Sequence, residues 1–179
     1  MQSFRNPEEA IDSMDFYGAM LVADFGSGIG YFALPIAKKI AKEGVVYAFD
    51  IQEAPLEILR KKASSSHLYN IQTMRADLER AGGSSLMQES IDRVVIANIL
   101  FQATQKQQIL QEAVRILKKS GKIIIVEWDT AIVQFFGPRG EARLSKEQIK
   151  NLLTPMGCAL EKEFSIGDHH SGYVYIKKQ

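Results

Sequence analysis

The stretch that decides the fold is Val22-Ala23-Asp24-Phe25-Gly26-Ser27-Gly28-Ile29-Gly30. An apolar run leads to the acid Asp24, and three glycines then stand at alternate positions. A helical pattern follows over residues 31–42. Because glycine carries no Cβ, such a turn between a strand and a helix lets a ligand contact backbone N–H groups directly. The stretch therefore predicts a buried strand with a ligand site at its end.

A second acid follows at an informative distance. The next apolar run, residues 45–49, ends in Asp50, and the spacing of about twenty residues from Gly30 is typical of nucleotide-binding βαβ units. An acid at the tip of the second strand can accept hydrogen bonds from the hydroxyls of a ribose. The two features together predict a ligand that contains adenosine.

The glycine spacing distinguishes two kinds of adenosine ligand. Dinucleotide-binding turns have the spacing G-x-G-x-x-G, whereas this turn reads Gly26-x-Gly28-x-Gly30 and is preceded by Asp24. A carboxylate beside a pyrophosphate costs energy because like charges repel. The same carboxylate would stabilise S-adenosylmethionine, which carries a sulfonium and an ammonium but no phosphate. The pattern therefore favours S-adenosylmethionine, with an NAD-dependent reductase as the less favoured alternative.

Five segments carry a resemblance to a known family. They are VADFGSGIGYF (22–32), YAFDI (47–51), RADL (75–78), IDRVVIANIL (91–100) and EAVRILKKSGK (112–122), of which the first and last are the most specific. Over nearly the whole chain, from about Asn6 to Lys177, the sequence resembles the class I, Rossmann-like S-adenosylmethionine-dependent methyltransferases. It is most similar to the small single-domain members related to the ubiquinone/menaquinone-biosynthesis type.

The resemblance implies a role for each residue of the cofactor site. The first two glycines of the turn would pack against the methionine moiety, and Asp50 would hold the ribose hydroxyls. Ile51 would lie against the adenine face, Asp77 and Leu78 would meet its edge, and Asn98 would line the methionine end. The predicted cofactor-binding residues are Asp24, Gly26, Ser27, Gly28, Asp50, Ile51, Asp77, Leu78 and Asn98.

Length and composition predict one domain, residues 1–179, in the cytoplasm. The chain has 46% apolar and 24% charged residues and a net charge of +1, so no overall field attracts nucleic acid or an anionic membrane. No apolar stretch approaches the ~20 residues that span a bilayer. The single cysteine, Cys158, excludes an internal disulfide, which is consistent with a reducing compartment, and disfavours thiol-rich chemistry such as arsenic methylation.

Hydrophobic periodicity predicts an α/β protein with a doubly wound, mostly parallel sheet of seven strands. Strands are expected at 19–24, 45–50, 70–75, 91–97, 122–128, 159–166 and 173–177. The first five belong to alternating β/α units, and the last two form a C-terminal antiparallel hairpin because their connection is too short for a crossover. The glycine-rich segment 81–85 reads as a flexible surface loop, and 131–143 as an irregular loop.

The methyl acceptor is expected at the carboxyl ends of the strands, where loops and the hairpin turn meet. Tyr31, Phe101, Trp128 and Phe136 are the candidate pocket residues. Methyl transfer from a sulfonium is a displacement that depends on alignment, and a general base is needed only when the acceptor must lose a proton. His169 and His170 are the first candidates for that base because histidine titrates near neutrality, and Asp129 is the second.

Other interpretations of these residues stay open. The histidines fit a solvated turn equally well, the aromatic residues fit a core or an oligomer contact, and a metal site from Asp129, Asp168 and a histidine lacks a tight ligand motif. The segment 98–101 lacks the Asn/Asp-Pro-Pro-aromatic motif of enzymes that methylate nucleic-acid bases or glutamine. The sequence therefore predicts a small-molecule acceptor and no nucleic-acid partner. A cofactor-binding module without catalysis is the alternative outside enzymes.

Overall fold

The apolar runs of the sequence form the strands of one sheet. The computed structural model describes residues 7–129, 138 and 143–178, apart from the side chains of Pro7 and Glu9. Within these residues the strands are β1 Leu21–Phe25, β2 Val45–Asp50, β3 Ile71–Arg75, β4 Ile91–Ala97, β5 Leu117–Trp128, β6 Cys158–Ile166 and β7 His170–Lys177.

Five helices accompany these strands in the described residues. They are α1 Pro7–Asp12, α2 Ala33–Lys39, α3 Glu53–Ser65, α4 Lys106–Ile116 and α5 Lys146–Leu153, with a 3₁₀ turn at Thr154–Met156. None of them combines the length and the apolar character that crossing a membrane requires.

The sheet has the strand order β3-β2-β1-β4-β5-β7-β6. Strands β1 to β5 are parallel, and β7 is antiparallel to both of its neighbours, β5 and β6. The prediction of a mostly parallel seven-stranded sheet with a C-terminal antiparallel hairpin is therefore confirmed. The order reverses between β1 and β4, and ligands of such sheets bind at the carboxyl ends of the strands beside a reversal.

Apolar side chains cover both faces of the sheet. One cluster lies under α4 and α5 and includes Ala23, Phe25 and Leu110. The other lies under α1 and α2 and includes Val22 and Ile36. Because consecutive residues of β1 face opposite clusters, the strand is buried on both faces, which explains its unbroken apolar sequence.

The connection between β3 and β4 differs from the prediction. Alternating β/α units predict a helix here, but residues 76–90, all of which are described, form turns only. The segment 81–85 lies at the surface as predicted, with residues 81, 82 and 85 exposed, but it is anchored at Ser84. Ser84 is 1% exposed, and its N–H and hydroxyl both donate to the buried carboxylate of Glu112 on α4. The buried acid needs donors, so it fixes this turn against the helix.

Several element boundaries differ from the sequence prediction by one to five residues, with β5, α2 and β7 among the larger shifts. The strand predicted at 122–128 begins at Leu117, because Leu117 pairs with Ile91 of β4 before an irregularity in the register. The helix predicted at 31–42 is shorter, since it begins at Ala33 and the backbone at Ile40 is already extended.

The hairpin turn returns to the carboxyl end of β5. Trp128, the last residue of β5, pairs with His170, the first residue of β7. The N–H of Asp129 donates to the carbonyl of His169 at 2.9 Å. Residues 167–169 therefore lie at the edge where a ligand of this sheet would bind, as the sequence predicts from a sixth strand parallel to the first five.

Helix α5 begins with a capping box, which the three-residue spacing of Ser145 and Gln148 in the sequence predicts. The N–H of Gln148 donates to Ser145 Oγ at 3.2 Å, and the N–H of Ser145 donates to Gln148 Oε1 at 2.8 Å. These bonds satisfy two backbone donors at the start of the helix.

Substitution Ser145→Ala removes one of the two bonds, so we expect it to lower the free energy of unfolding by about 1 kcal/mol. Urea unfolding followed by circular dichroism measures the change. Ser64→Ala, at an exposed position of α3, is the matched control and should stay within about 0.5 kcal/mol of the wild type. Equal losses in both variants would contradict a stabilising cap.

Candidate cofactor-binding site

The glycine turn after β1 has a backbone conformation that favours glycine. Gly26 has a φ of +74° and Gly28 a φ of +51°, both in the left-handed region. A Cβ on Gly26 would lie 2.3 Å from Cγ2 of Ile99, so the turn packs directly against the segment after β4. A Cβ on Gly28 would meet no atom within 4 Å. Gly28 therefore presents bare backbone to open space.

The acid at the end of β2 supports this turn. The N–H of Gly28 donates to Asp50 Oδ2 at 2.9 Å, and the N–H of Gln52 donates to Asp50 Oδ1 at 2.9 Å. A backbone bond of 2.7 Å from Ser27 N–H to the Phe49 carbonyl lies beside them. Each carboxylate oxygen can accept more than one hydrogen bond. Asp50 can therefore hold the turn and still accept the hydroxyls of a ribose.

A cleft of about 470 Å³ opens between the carboxyl ends of β2, β3 and β4, and Asp50 lines it. Its volume is within the range of small-molecule sites. The apolar part of its lining includes Ile51, Leu78, Ile99 and Ala103. Ile51 is 58% exposed, so an apolar surface lies open beside the acid. This part of the cleft suits a flat, weakly polar ring.

The segment after β3, which lines one side of the cleft, is hydrogen-bonded to the start of α4. The N–H groups of Thr104 and Gln105 donate to the carboxylate of Glu79 at 3.3 and 2.7 Å. Gln105 itself provides no side-chain cap, so Glu79 caps the helix from the segment after β3. Beside it, Asp77 accepts the N–H of Glu79 at 3.1 Å and Nε of Arg80 at 3.0 Å.

A second pocket of about 230 Å³ adjoins the cleft on the other side of the glycine turn. Asp24, Ser27, Tyr31 and Phe32 line it. Gly26, Gly28, Ala97 and Asn98 line both spaces. A single extended ligand could therefore occupy the cleft and the pocket together.

Three oxygens beside the second pocket have no partner within the part of the chain that the structure describes. They are Asp24 Oδ2, Ser27 Oγ and Asn98 Oδ1, and all three are buried. A buried acceptor without a donor costs roughly 1–3 kcal/mol. A ligand that brings N–H groups or positive charge would remove this cost, whereas a pyrophosphate offers only further acceptors. The pocket therefore suits a cation.

The protonation of Asp24 depends on what occupies the pocket. Burial raises the pKa of Asp24 to about 7; the backbone N–H of Ala33 opposes the rise and the charge of Asp50 adds to it. Near neutrality the carboxyl is therefore partly protonated. A cation in the pocket would favour the ionised form, because opposite charges at short distance stabilise each other.

The hairpin contributes a buried imidazole to the same region. His170 is 6% exposed, and its Nε2 lies 3.1 Å from Asn98 Nδ2. The indole of Trp128 covers it, with ring centres 4.3 Å apart, and the Arg143 guanidinium lies 5.9 Å from the centre of the Trp128 ring. Burial, together with the charges of His169 and Arg143, lowers the pKa of His170 to about 4. The imidazole is therefore neutral across the physiological range.

The other two candidates for the base lie at the rim. His169 and Asp129 are both partly exposed. Asp129 Oδ2 accepts the hydroxyl of Ser171 at 3.1 Å, and its carbonyl accepts Nη1 of Arg143 at 2.8 Å. Within the described ranges, no three His, Cys, Asp or Glu side chains lie close enough together to hold a metal ion.

The four residues predicted for the acceptor pocket are not all together. Tyr31 packs against the cluster under α1 and α2 and lines the second pocket, while Trp128 lies beside His170. Phe101 packs against the cluster on the opposite face of the sheet, under α4 and α5, and lines neither space. Phe101 is half-buried, so its place in an acceptor pocket stays a prediction. Phe136 lies outside the described residues.

Sequence reasoning missed two charged side chains near the site. Glu127, on β5, is 1% exposed and accepts the N–H of Leu100 at 3.2 Å. Burial raises its pKa to about 7. An acid inside the otherwise apolar run 122–128 was a signal for it. Arg143 is 7% exposed, but it lies in a stretch without periodicity, and nothing local indicates its burial.

Comparison with known families identifies the family of the chain. A family model described as a methyltransferase domain matches residues 18–165. The chain belongs to this methyltransferase family. The predicted assignment to class I S-adenosylmethionine-dependent methyltransferases related to the ubiquinone/menaquinone-biosynthesis type is thereby confirmed.

Two curated methyltransferases illustrate the relationship. The chain is 34% identical over 109 residues to the ubiquinone/menaquinone biosynthesis C-methyltransferase UbiE of Bordetella parapertussis, which covers 61% of this chain and 41% of the relative. It is 24% identical over 147 residues to the arsenite methyltransferase of Homo sapiens, with 73% of this chain and 39% of the relative covered. The methyltransferase chain thus spans about two-fifths of the length of these relatives.

A solved structure has the same fold. A SAM dependent methyltransferase from Aquifex aeolicus superposes with a TM-score of 0.86 at 21% identity, over 97% of this chain and 90% of that one. At this identity the likeness concerns the fold alone, and it confirms the Rossmann-like methyltransferase architecture.

The site of this methyltransferase fits S-adenosylmethionine on three points. Asp50 lies where a ribose diol can meet it, Ile51 and Leu78 offer an apolar surface for adenine, and the second pocket has unpartnered oxygens for a cation. The two spaces adjoin at Gly28, so the order of these features along the site matches their order along the ligand.

Substitution Asp50→Ala removes the carboxylate predicted to accept the ribose hydroxyls, so we expect S-adenosylmethionine binding to weaken by about 1.5–3 kcal/mol. Calorimetric titration of the purified variant measures the change. Asp12→Ala is the matched control, because Asp12 is an acid on α1 that pairs with Lys39. The Asp12→Ala variant should bind S-adenosylmethionine with the affinity of the wild type. Unchanged affinity in Asp50→Ala would show that this acid does not hold the ribose.

Binding of S-adenosylmethionine should become tighter as the pH rises from 5.5 to 7. With Asp24 titrating at about 7, the carboxylate that a cation needs is scarce at pH 5.5 and half present at pH 7. The difference amounts to about tenfold in affinity, and the ammonium of the ligand stays charged over this range. Titrations at several pH values test it, and Asp24→Asn should make the affinity independent of pH. A slope that persists in this variant would assign the titration to another group.

Proposed function

We propose that this protein transfers the methyl group of S-adenosylmethionine to a small-molecule acceptor. One observation carries the proposal: Asp24, Ser27 and Asn98 present unpartnered buried oxygens beside a pocket that adjoins the cleft lined by Asp50. The arrangement suits a ligand with a ribose at its centre and a cation at one end. NAD carries a pyrophosphate, which would lie beside the carboxylate of Asp24.

The residues of the site act mainly by binding and orientation. S-adenosylmethionine supplies a methyl group on a positively charged sulfur, which makes that carbon electrophilic. Asp50 and the glycine turn would fix the nucleoside, and Asn98 with Asp24 would hold the amino-acid end. Tyr31 lines the second pocket and Trp128 lies beside His170, so an acceptor would be expected to approach on this side. Alignment of an acceptor there accounts for much of the rate, because displacement depends on geometry.

The acceptor itself is a small molecule whose identity the relatives do not determine. One of them is named for a C-methylation in quinone biosynthesis and the other for arsenite. Arsenite fits poorly, because Cys158 is 2% exposed and burial raises the pKa of its thiol. A small organic acceptor is therefore favoured over a metalloid. The cytoplasmic location, the single-domain organisation and the lack of a nucleic-acid partner stay predictions.

A general base is required only for acceptors that must lose a proton. Of the three candidates, His169 and Asp129 lie at the rim and are partly exposed, so an acceptor could reach them. His170 is buried and its pKa is lowered to about 4, which makes it a weak base. We therefore rank His169 first and Asp129 second.

A protein that binds the cofactor but does not catalyse methyl transfer would have the same cofactor-binding site. A turnover assay separates the two functions: the protein is incubated with S-adenosylmethionine and a panel of small phenols, enols and amines, and S-adenosylhomocysteine formation is measured. Product formation above the rate of the Asp50→Ala variant supports the enzyme. Tight cofactor binding with no turnover on any class of acceptor would support the module, and binding of NADH alone would overturn both.

Once an acceptor has been identified, we expect His169→Ala to lower turnover by about 10²–10⁴-fold, because the variant lacks the general base. The affinity for S-adenosylmethionine should stay unchanged. Steady-state kinetics and calorimetry measure the two quantities. His67→Ala, an exposed histidine after α3, is the matched control. A loss of cofactor affinity in His169→Ala would place that residue on the cofactor side instead.

A further inference from the structure

The amide of Asn98 connects the two halves of the site. It lines both the cleft and the second pocket, directly after β4. Its backbone has a φ of +54°, and its N–H donates to the carbonyl of Val126 at 2.9 Å. This conformation turns the chain sharply at the end of the strand and places the side chain between β4 and the hairpin.

A side-chain amide has a donor half and an acceptor half of nearly equal shape. A rotation of 180° about its last bond exchanges the two, so the amide presents a defined group only when a neighbour selects one orientation. In this site the Nδ2 half lies 3.1 Å from His170 Nε2. The Oδ1 half is buried and without a partner in the described part of the chain.

The environment of His170 keeps its ring neutral. The imidazole is 6% exposed and lies against the Trp128 indole at 4.3 Å. Burial lowers its pKa to about 4, so one ring nitrogen remains free of a proton near neutrality. A neutral ring with its proton on Nδ1 accepts a hydrogen bond at Nε2, and this is the tautomer that the Asn98 orientation with Nδ2 toward His170 requires.

We propose that His170 is a positioning residue, which fixes the Asn98 amide so that its oxygen is held as an acceptor for the ammonium end of S-adenosylmethionine. The inference rests on the proposed function and assigns the hairpin to cofactor binding. It differs from the role of general base, which would require His170 itself to reach the acceptor. Selection of the oxygen matters because an amide rotated the other way would present N–H groups to an ammonium, and two donors repel.

Loss of the His170–Asn98 contact is expected to weaken binding of only the amino-acid end of the ligand. S-adenosylmethionine has the amino-acid portion, whereas 5′-methylthioadenosine ends at the sulfur and lacks the ammonium. Adenine and ribose lie in the part of the cleft lined by Asp50, Ile51 and Leu78. A change at His170 should therefore affect the first ligand and spare the second. General damage to the fold would weaken both.

The test is calorimetric titration of both ligands into the wild type, His170→Phe and His170→Gln. Phenylalanine fills the space under Trp128 but cannot accept a hydrogen bond, so we expect affinity for S-adenosylmethionine to fall about tenfold or more and affinity for 5′-methylthioadenosine to change less than twofold. Glutamine has a carbonyl that can accept from Asn98 Nδ2, so His170→Gln should recover most of the affinity. If His170→Phe does not fold, His170→Leu takes its place.

A double substitution tests whether His170 acts through Asn98. Asn98→Ala should weaken S-adenosylmethionine binding to a similar extent, and the addition of His170→Phe to it should cause no further loss, since the acceptor is already absent. Additive losses, or equal losses for both ligands, would overturn the inference. Unchanged affinity with abolished turnover would instead make His170 the base. Failure of the wild type to bind S-adenosylmethionine would refute the proposed function itself.

Discussion

The hydrogen bond from the Gly28 N–H to the Asp50 carboxylate, 2.9 Å long, is the interaction on which the site depends. It joins the turn after β1 to the tip of β2, and on its other side the turn packs against Ile99 through the missing Cβ of Gly26. Three adjacent strand ends are thereby held at a fixed separation. The cleft exists because the glycine backbone lies between these strand ends without side chains of its own.

The features that the sequence predicted well are those encoded locally. Strand β2 occurs at 45–50 as expected, because an apolar run bounded by Gly44 and an acid leaves little freedom in its limits. The number of residues between Gly30 and Asp50 is the length of one helix, one turn and one strand. The same spacing therefore predicts both the βαβ unit and a nucleotide-like ligand. The capping box at Ser145 is equally local, since both of its partners lie within one turn of helix.

The features that escaped prediction depend on distant partners. Ser84 is ordered by Glu112, which is remote in the chain, and no pattern within 81–85 reveals that bond. The protonation of His170 is likewise a property of its surroundings, because Trp128 and the sheet exclude water from a residue that its own neighbours in sequence describe as part of a polar turn.

The carboxylate of Glu79 lines the cleft and also stabilises the start of α4. It supplies the cap that α4 lacks in its own sequence, and it does so from across the lip of the cleft. Separation of Glu79 from the start of α4 would break both of these bonds. We therefore expect amide hydrogen exchange at Thr104 and Gln105 to report on movement at this end of the cleft.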